Sequence, residues 1–225
     1  MTESTPNQAI LKGSKTLAQV RMAFIMLTLF VLVLLSLLLR LVFFLFPRHL
    51  FLRFNVRFII YPFSRLLMWI VGVKLVVKGK MPSSQHLIVS NHQGILDSLL
   101  HMAISPCMVI SNMLIRNMKV IGSVMELLGF VFVDRSRRMS IVELLQPATS
   151  MITQSKVNMS FFPEGKSNNG VELLPFHAPF FKIAIDSGSG VQPIAFRWTH
   201  ANGQELSKEQ RITFTYLVKH GSIVQ

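Results

Sequence analysis

Between Met22 and Phe46 the chain is apolar almost without a break, interrupted only by Thr28, Ser36 and Arg40. As one helix this stretch would extend roughly 37 Å at ~1.5 Å per residue, enough to cross a bilayer core of ~30 Å when tilted. A helix lying within one leaflet satisfies the same composition. A cleaved signal peptide does not. The run is too long for an h-region, and Pro47-Arg48-His49 follows it in place of a small-residue cleavage site. Residues 1–21 form a polar lead-in with Lys12, Lys15 and Arg21. The far side is more basic, with Arg48, Arg53, Arg57 and Arg65 beyond Arg40, which predicts a cytoplasmic location for everything downstream.

Residues 47–71 stay apolar but carry arginines at intervals. At about 100° per residue, Arg53, Arg57 and Arg65 fall within about 120° of one another, leaving a wide greasy face flanked by Trp69. This predicts an interfacial helix whose arginines meet lipid phosphates, although a core helix of the next domain fits the same pattern. Tyr61-Pro62 predicts a kink or break. Composition points to the same setting. The chain is 51% hydrophobic and 15% charged, yet 23 Lys+Arg oppose 10 Asp+Glu for a formal charge of +13. Such apolarity excludes intrinsic disorder, and a nucleic-acid partner is not expected of so greasy a chain. An anionic lipid surface accounts for both properties. Cys107 is the single cysteine, so no internal disulfide and no cysteine-built metal site is expected.

From Gly72 the pattern changes, which makes residues 72–225 the catalytic-domain candidate. Short β-branched or aromatic runs at 73–79, 87–90, 107–110, 130–134, 158–163, 191–198 and 211–218 alternate with helical stretches at 119–128, 140–155 and 176–187. This alternation predicts an α/β fold, a mixed and largely parallel sheet flanked by helices.

Three segments at strand ends could carry chemistry. In Asn91-His92-Gln93-Gly94-Ile95-Leu96-Asp97, His92 and Asp97 would lie about 140° apart on an ideal helix, so they meet only if the chain turns between them. Gly94 makes such a turn inexpensive. Asp97 could then hold one imidazole nitrogen while the other faces a substrate hydroxyl, an arrangement suited to a general base. Phe161-Phe162-Pro163-Glu164-Gly165-Lys166-Ser167 runs from a strand into a turn. It is no P-loop, because position 160 is serine, and no G-x-S-x-G elbow occurs anywhere. The third segment is Phe132-Val133-Asp134-Arg135.

These segments, in order with Val191-Gln192-Pro193-Ile194, resemble the four motifs of the glycerolipid acyltransferases, the lysophosphatidic acid acyltransferase family, over about residues 72–198. Leu174-Pro175-Phe176-His177 is most similar to a bacterial branch that includes lyso-ornithine-lipid acyltransferases. The resemblance implies that His92 deprotonates the acceptor hydroxyl and that Asp97 orients it. The oxygen would then attack the thioester of acyl carrier protein or coenzyme A directly, with no further cofactor and no metal. It implies that Asn91, Arg135, Glu164, Gly165 and Lys166 hold the acceptor and that Pro193 shapes the pocket wall. It also implies phospholipid biosynthesis at the cytoplasmic face of a bacterial inner membrane. One departure matters. The third family motif usually reads Glu-Gly-Thr-Arg, and its arginine is credited with gripping the acceptor phosphate. Here Lys166 and Ser167 stand at those last two positions. A neutral serine cannot supply a bidentate clamp, which opens the acceptor to lyso-ornithine lipid or another lysolipid unless Arg135, Lys166 or Lys182 compensates. A catalytically silent lipid-binding protein on the same fold is the reading from another class.

The other candidates read as structure. His101 lies one turn beyond Asp97, where packing is the simpler role than metal binding. His177 reads as structural, Cys107 as a small core residue, and the methionines from Met102 to Met125 as adaptable core or acyl-chain lining. Lys119, Arg137 and Arg138 read as solvated charges that would suit an acidic carrier protein.

Overall fold

The computed structural model describes residues 15–81, 85–94, 96–133, 140–168, 172–201 and 204–205. The apolar run forms helix α1 (Lys15–Val42), which begins ahead of its apolar part and stops where residues 43–46 turn back. Among the described residues it is the one helix long and apolar enough to cross a membrane. One stripe of it is inside the fold: Ile25, Thr28, Leu32 and Ser36 are buried. Phe24, Leu27, Phe30, Leu38 and Leu41 stay exposed.

Helix α2 (Arg48–Asn55) runs through a π-helical turn (Val56–Ile60) into α3 (Tyr61–Ile70). No break occurs at Pro62. The wide turn immediately before it carries the Tyr61 N–H to the Val56 carbonyl, so the ring and its missing donor fall where the ladder is already expanded. Phe51, Leu52, Val56, Ile59, Ile60, Leu67 and Met68 face inward. The outward face pairs Arg53, Arg57 and Arg65 with Phe54, Phe58, Leu66 and Trp69, the last 77% exposed. Ser36 Oγ donates to Asn55 Oδ1 at 2.8 Å, and Asn55 Nδ2 donates to the Leu128 carbonyl at 3.0 Å. This fully buried amide ties the apolar hairpin to the domain behind it.

That domain consists of β1 (His86–Ser90), α4 (Leu96–Ile104), β2 (Cys107–Asn112), α5 (Met113–Arg116), α6 (Lys119–Leu128), β3 (Val131–Val133), α7 (Ile141–Thr153), β4 (Asn158–Phe161), a 3₁₀ turn (Ala178–Phe181) entering α8 (Lys182–Ser187), and β5 (Gly190–Ile194). The five strands order as β3-β2-β4-β1-β5, every pair parallel. Among the described residues the sheet is therefore purely parallel, and the antiparallel component is a separate small pair, β6 (His200–Ala201) with β7 (Gln204–Glu205). Helices α4 and α6 pack with the hairpin, while α7 and α8 pack on each other and on β3, β4 and β1. Two-sided covering explains why β4 is buried at every residue, its alternating polar residues Asn158 and Ser160 included.

The expected strand at 73–79 does not join the sheet. Only Val73 forms a bridge, and Lys74, Val76, Val77 and Lys78 are exposed. The expected strand at 211–218 lies outside the described residues. Adjacent strands β1 and β4 end side by side, and the chain leaves them in opposite directions, from β1 toward β2 and from β4 toward β5. That is a switch point, where open α/β sheets place their sites.

Candidate active site

His92 follows β1 and Asp97 sits in the first turn of α4, where an acidic side chain suits the helix N-terminus. The structure brings the two together: His92 Nδ1 lies 2.9 Å from Asp97 Oδ2. The same oxygen accepts the main-chain N–H groups of Gln93 and Gly94, the latter at 2.9 Å. An oxygen that already accepts two N–H groups faces Nδ1 as an acceptor, so Nδ1 carries the ring proton and Nε2 keeps its lone pair. The turn is thus gathered by the Asp97 carboxylate. Gly94 is not among the glycines with positive φ, and nothing lies within 4 Å of a Cβ built on it, so it serves neither as a left-handed hinge nor as a gap. Asp97 is 1% exposed at its side chain and His92 19%, which buries the orienting group and leaves the ring accessible. Nε2 has no hydrogen-bond partner among the described residues.

The structure gives Glu164 a different task from acceptor binding. Its residue is only 2% exposed. Oε1 accepts the His92 N–H at 3.0 Å, while Oε2 accepts from Asn168 Nδ2 and from the Leu174 N–H at 3.0 Å. Asn168 in turn donates its main-chain N–H to the His92 carbonyl at 2.9 Å. The turn after β4 therefore holds the peptide on which His92 rides. Gly165 adopts φ +71°, a left-handed conformation that glycine reaches without strain.

Asn91 is similarly occupied. Its Nδ2 donates to the Phe196 carbonyl at 3.0 Å and its Oδ1 accepts the Phe196 N–H at 2.8 Å, so the amide clamps another backbone segment and not a substrate. Lys166 and Ser167 are exposed on the turn whose next residue, Asn168, bonds to His92. Lys182 is paired with Asp186 at 2.8 Å. Pro193 is exposed on the edge strand, opposite Val89. His177 is exposed and donates its main-chain N–H to the Pro163 carbonyl. Arg135, Arg137 and Arg138 lie outside the described residues.

Two side chains join the site without having been assigned to it. Phe162 stacks on the His92 ring at 3.9 Å and 13°, and His101 stacks behind Phe162 at 5.0 Å and 18°. His101 is fully buried, and burial, followed by the neighbouring His92, pushes its imidazolium down to about 3. The unfolded chain therefore binds a proton below the ordinary value of 6.5 that the folded one refuses until about 3. Stability attributable to this site is complete above that upper value and declines as the pH falls through the window. Wild type should lose about 1.4 kcal/mol per pH unit relative to His101→Phe between those limits, measurable as melting temperature against pH in detergent. Burial likewise pushes the Cys107 thiol up to about 12, against a bond from Ser160, and leaves it no nucleophile at neutral pH.

The sequence profile of a family described as Acyltransferase matches residues 73–197. The chain is 33% identical over 131 residues to the 1-acyl-sn-glycerol-3-phosphate acyltransferase of Neisseria gonorrhoeae, covering 56% of this chain and 51% of that protein. It is 28% identical over 131 residues to the human 1-acyl-sn-glycerol-3-phosphate acyltransferase alpha, covering 56% and 46%. The corresponding protein of Limnanthes douglasii is 26% identical over 141 residues, covering 60% and 49%. The chain thus spans about half the length of these curated relatives. The crystal structure of the 1-acyl-sn-glycerophosphate (LPA) acyltransferase PlsC from Thermotoga maritima superposes with a TM-score of 0.54 at 20% identity, over 77% of this chain and 73% of that one, a likeness of fold.

Proposed function

This chain belongs to the acyltransferase family, and we propose that within it the protein moves a fatty acyl group from a thioester to the free hydroxyl of a lysolipid, 1-acyl-sn-glycerol-3-phosphate being the first acceptor to test. The observation that carries this reading is the accessible His92 ring, its Nδ1 held by buried Asp97, at the switch point of the sheet. Nε2 accepts the hydroxyl proton as the acceptor oxygen bonds to the acyl carbon. The carbon–sulfur bond then breaks, and the proton passes on to the departing thiolate of acyl carrier protein or coenzyme A. A positioned base of this kind contributes about 10²–10⁴-fold, with the rest of the acceleration left to orientation and charge stabilisation.

The exposed apolar residues of α1 and of residues 44–46, together with the arginine-bearing face of α2–α3, support a seat on a lipid bilayer. The excess of arginines downstream of α1 favours the cytoplasmic leaflet of a bacterial inner membrane for it. A lysolipid reaches such a site without leaving its own solvent, while the thioester arrives from water. The test is acyl transfer by the purified chain in phospholipid vesicles, with lysophosphatidic acid compared against lyso-ornithine lipid. Transfer to neither, or transfer that persists in His92→Ala, would overturn the proposal.

Exposed, neutral Ser167 favours the second acceptor class, because a serine hydroxyl at that position offers no bidentate, charge-assisted clamp for a phosphomonoester. Ser167→Arg should raise kcat/KM for lysophosphatidic acid by about tenfold and leave a lysolipid lacking a phosphomonoester nearly unchanged. No gain would mean that any phosphate is held elsewhere.

A further inference from the structure

We propose that His101 is a positioning residue for His92, acting through the Ser90 hydroxyl and the Phe162 ring. This rests on the reading of His92 as the base. Asp97 and His101 stand one turn apart on α4, so one helix face presents both toward the same neighbour. Asp97 takes the edge of the His92 ring and His101 supports it from behind.

The hydrogen bonds determine the state of His101. Ser90 Oγ donates its single proton to the Asn91 carbonyl at 3.0 Å. It also lies 2.8 Å from His101 Nε2, and with its proton spent it can only accept there. Nε2 therefore carries the hydrogen, and Nδ1 is a bare acceptor, buried and without a hydrogen-bond partner among the described residues. Leucine or phenylalanine would fill this space without stranding an acceptor. What the imidazole adds is a flat ring with an N–H at the reach of Ser90. Through Ser90 that N–H steadies the carbonyl of Asn91, the peptide group that leads into His92.

The ring contributes by a second route. His92, Phe162 and His101 form a continuous stack, and His101 meets Phe196 at 5.0 Å on its far side. The Phe196 backbone is the segment that the Asn91 amide clamps from both its N–H and its carbonyl. The contacts therefore close a circuit from His92 through Phe162, His101 and Phe196 to Asn91 and back to His92. Such a circuit fixes both the plane of the base and the peptide beneath it, the precision that a proton transfer in the transition state requires.

The test uses the full chain in vesicles with three variants. His101→Phe keeps a flat ring and loses the N–H; Ser90→Ala removes the relay; His101→Gln retains an N–H without the ring. We expect His101→Phe to lower kcat about tenfold with both KM values within twofold, and Ser90→Ala to do the same. The double variant should be no worse than either alone, and His101→Gln should recover part of the loss. The His92 Nδ1 proton resonance should shift or broaden in His101→Phe. Wild-type kcat with an unchanged resonance in folded His101→Phe overturns the proposal, as does a loss of rate that only tracks loss of folded protein. If His101→Phe does not fold, a wild-type kcat in Ser90→Ala overturns it. The resonance is read without turnover, so a protein that transfers no acyl group would sink the proposed function while still reporting whether His101 holds the ring.

Discussion

Replacing Asp97 by asparagine should cut kcat by about 10³-fold while leaving the KM for the lysolipid nearly unchanged. Asp97 is buried and spends one oxygen on His92 Nδ1 and on the main chain at Gln93 and Gly94, so it offers nothing to a head group. Asparagine can adopt either orientation. With its oxygen toward Nδ1 the hydrogen bonds survive, but the charge that would stabilise the imidazolium formed during transfer is gone. With its amide toward Nδ1 the tautomer reverses, and the lone pair is no longer on the exposed nitrogen. Both outcomes weaken the base. Steady-state kinetics in vesicles separates the cases: a large rise in KM at normal kcat would show that Asp97 touches the acceptor and would overturn its assignment as the orienting group.

The pairing of His92 with Asp97 was legible in the sequence because it is local. The His-x4-Asp spacing requires only a non-helical turn between nearby residues and gains its meaning from the ordered motifs around it, while the alternation of strands and helices points to the largely parallel sheet. The tasks of Asn91 and Glu164 were not legible in this way. Asn91 is paired with Phe196, 105 positions away, and Glu164 with His92, 72 positions away. Near neighbours carry no trace of either partner, so nothing local opposed the acceptor-holding role that the family resemblance implies for both. The segment 73–79 misled for the complementary reason. Its valines and Leu75 have the local propensity of a strand, but among the described residues only Val73 forms a bridge, and tertiary context overrides propensity. The continuous helix through Pro62 is a similar case, since the π-helical turn ahead of it has no signature in residue type.

The same distinction makes Glu164→Gln a decisive substitution. The wild-type carboxylate accepts from three donors, the N–H of His92, the side chain of Asn168 and the N–H of Leu174, and it is almost fully buried. Glutamine provides one accepting oxygen, and its amide must then face at least one of those N–H groups, donor against donor. A buried donor left without its acceptor costs about 1–3 kcal/mol, more where the lost acceptor was ionised. For a chain of this size that corresponds to a fall in melting temperature of about 3–10 °C. Turnover should fall as well, by about 10²-fold, because the peptide that carries His92 loses its tether and a displacement near 1 Å at a reacting group has that effect. A residue that gripped the acceptor head group would behave otherwise: KM would rise sharply while the melting temperature held, and that pair of results would return Glu164 to the substrate and remove it from the scaffold beneath the base.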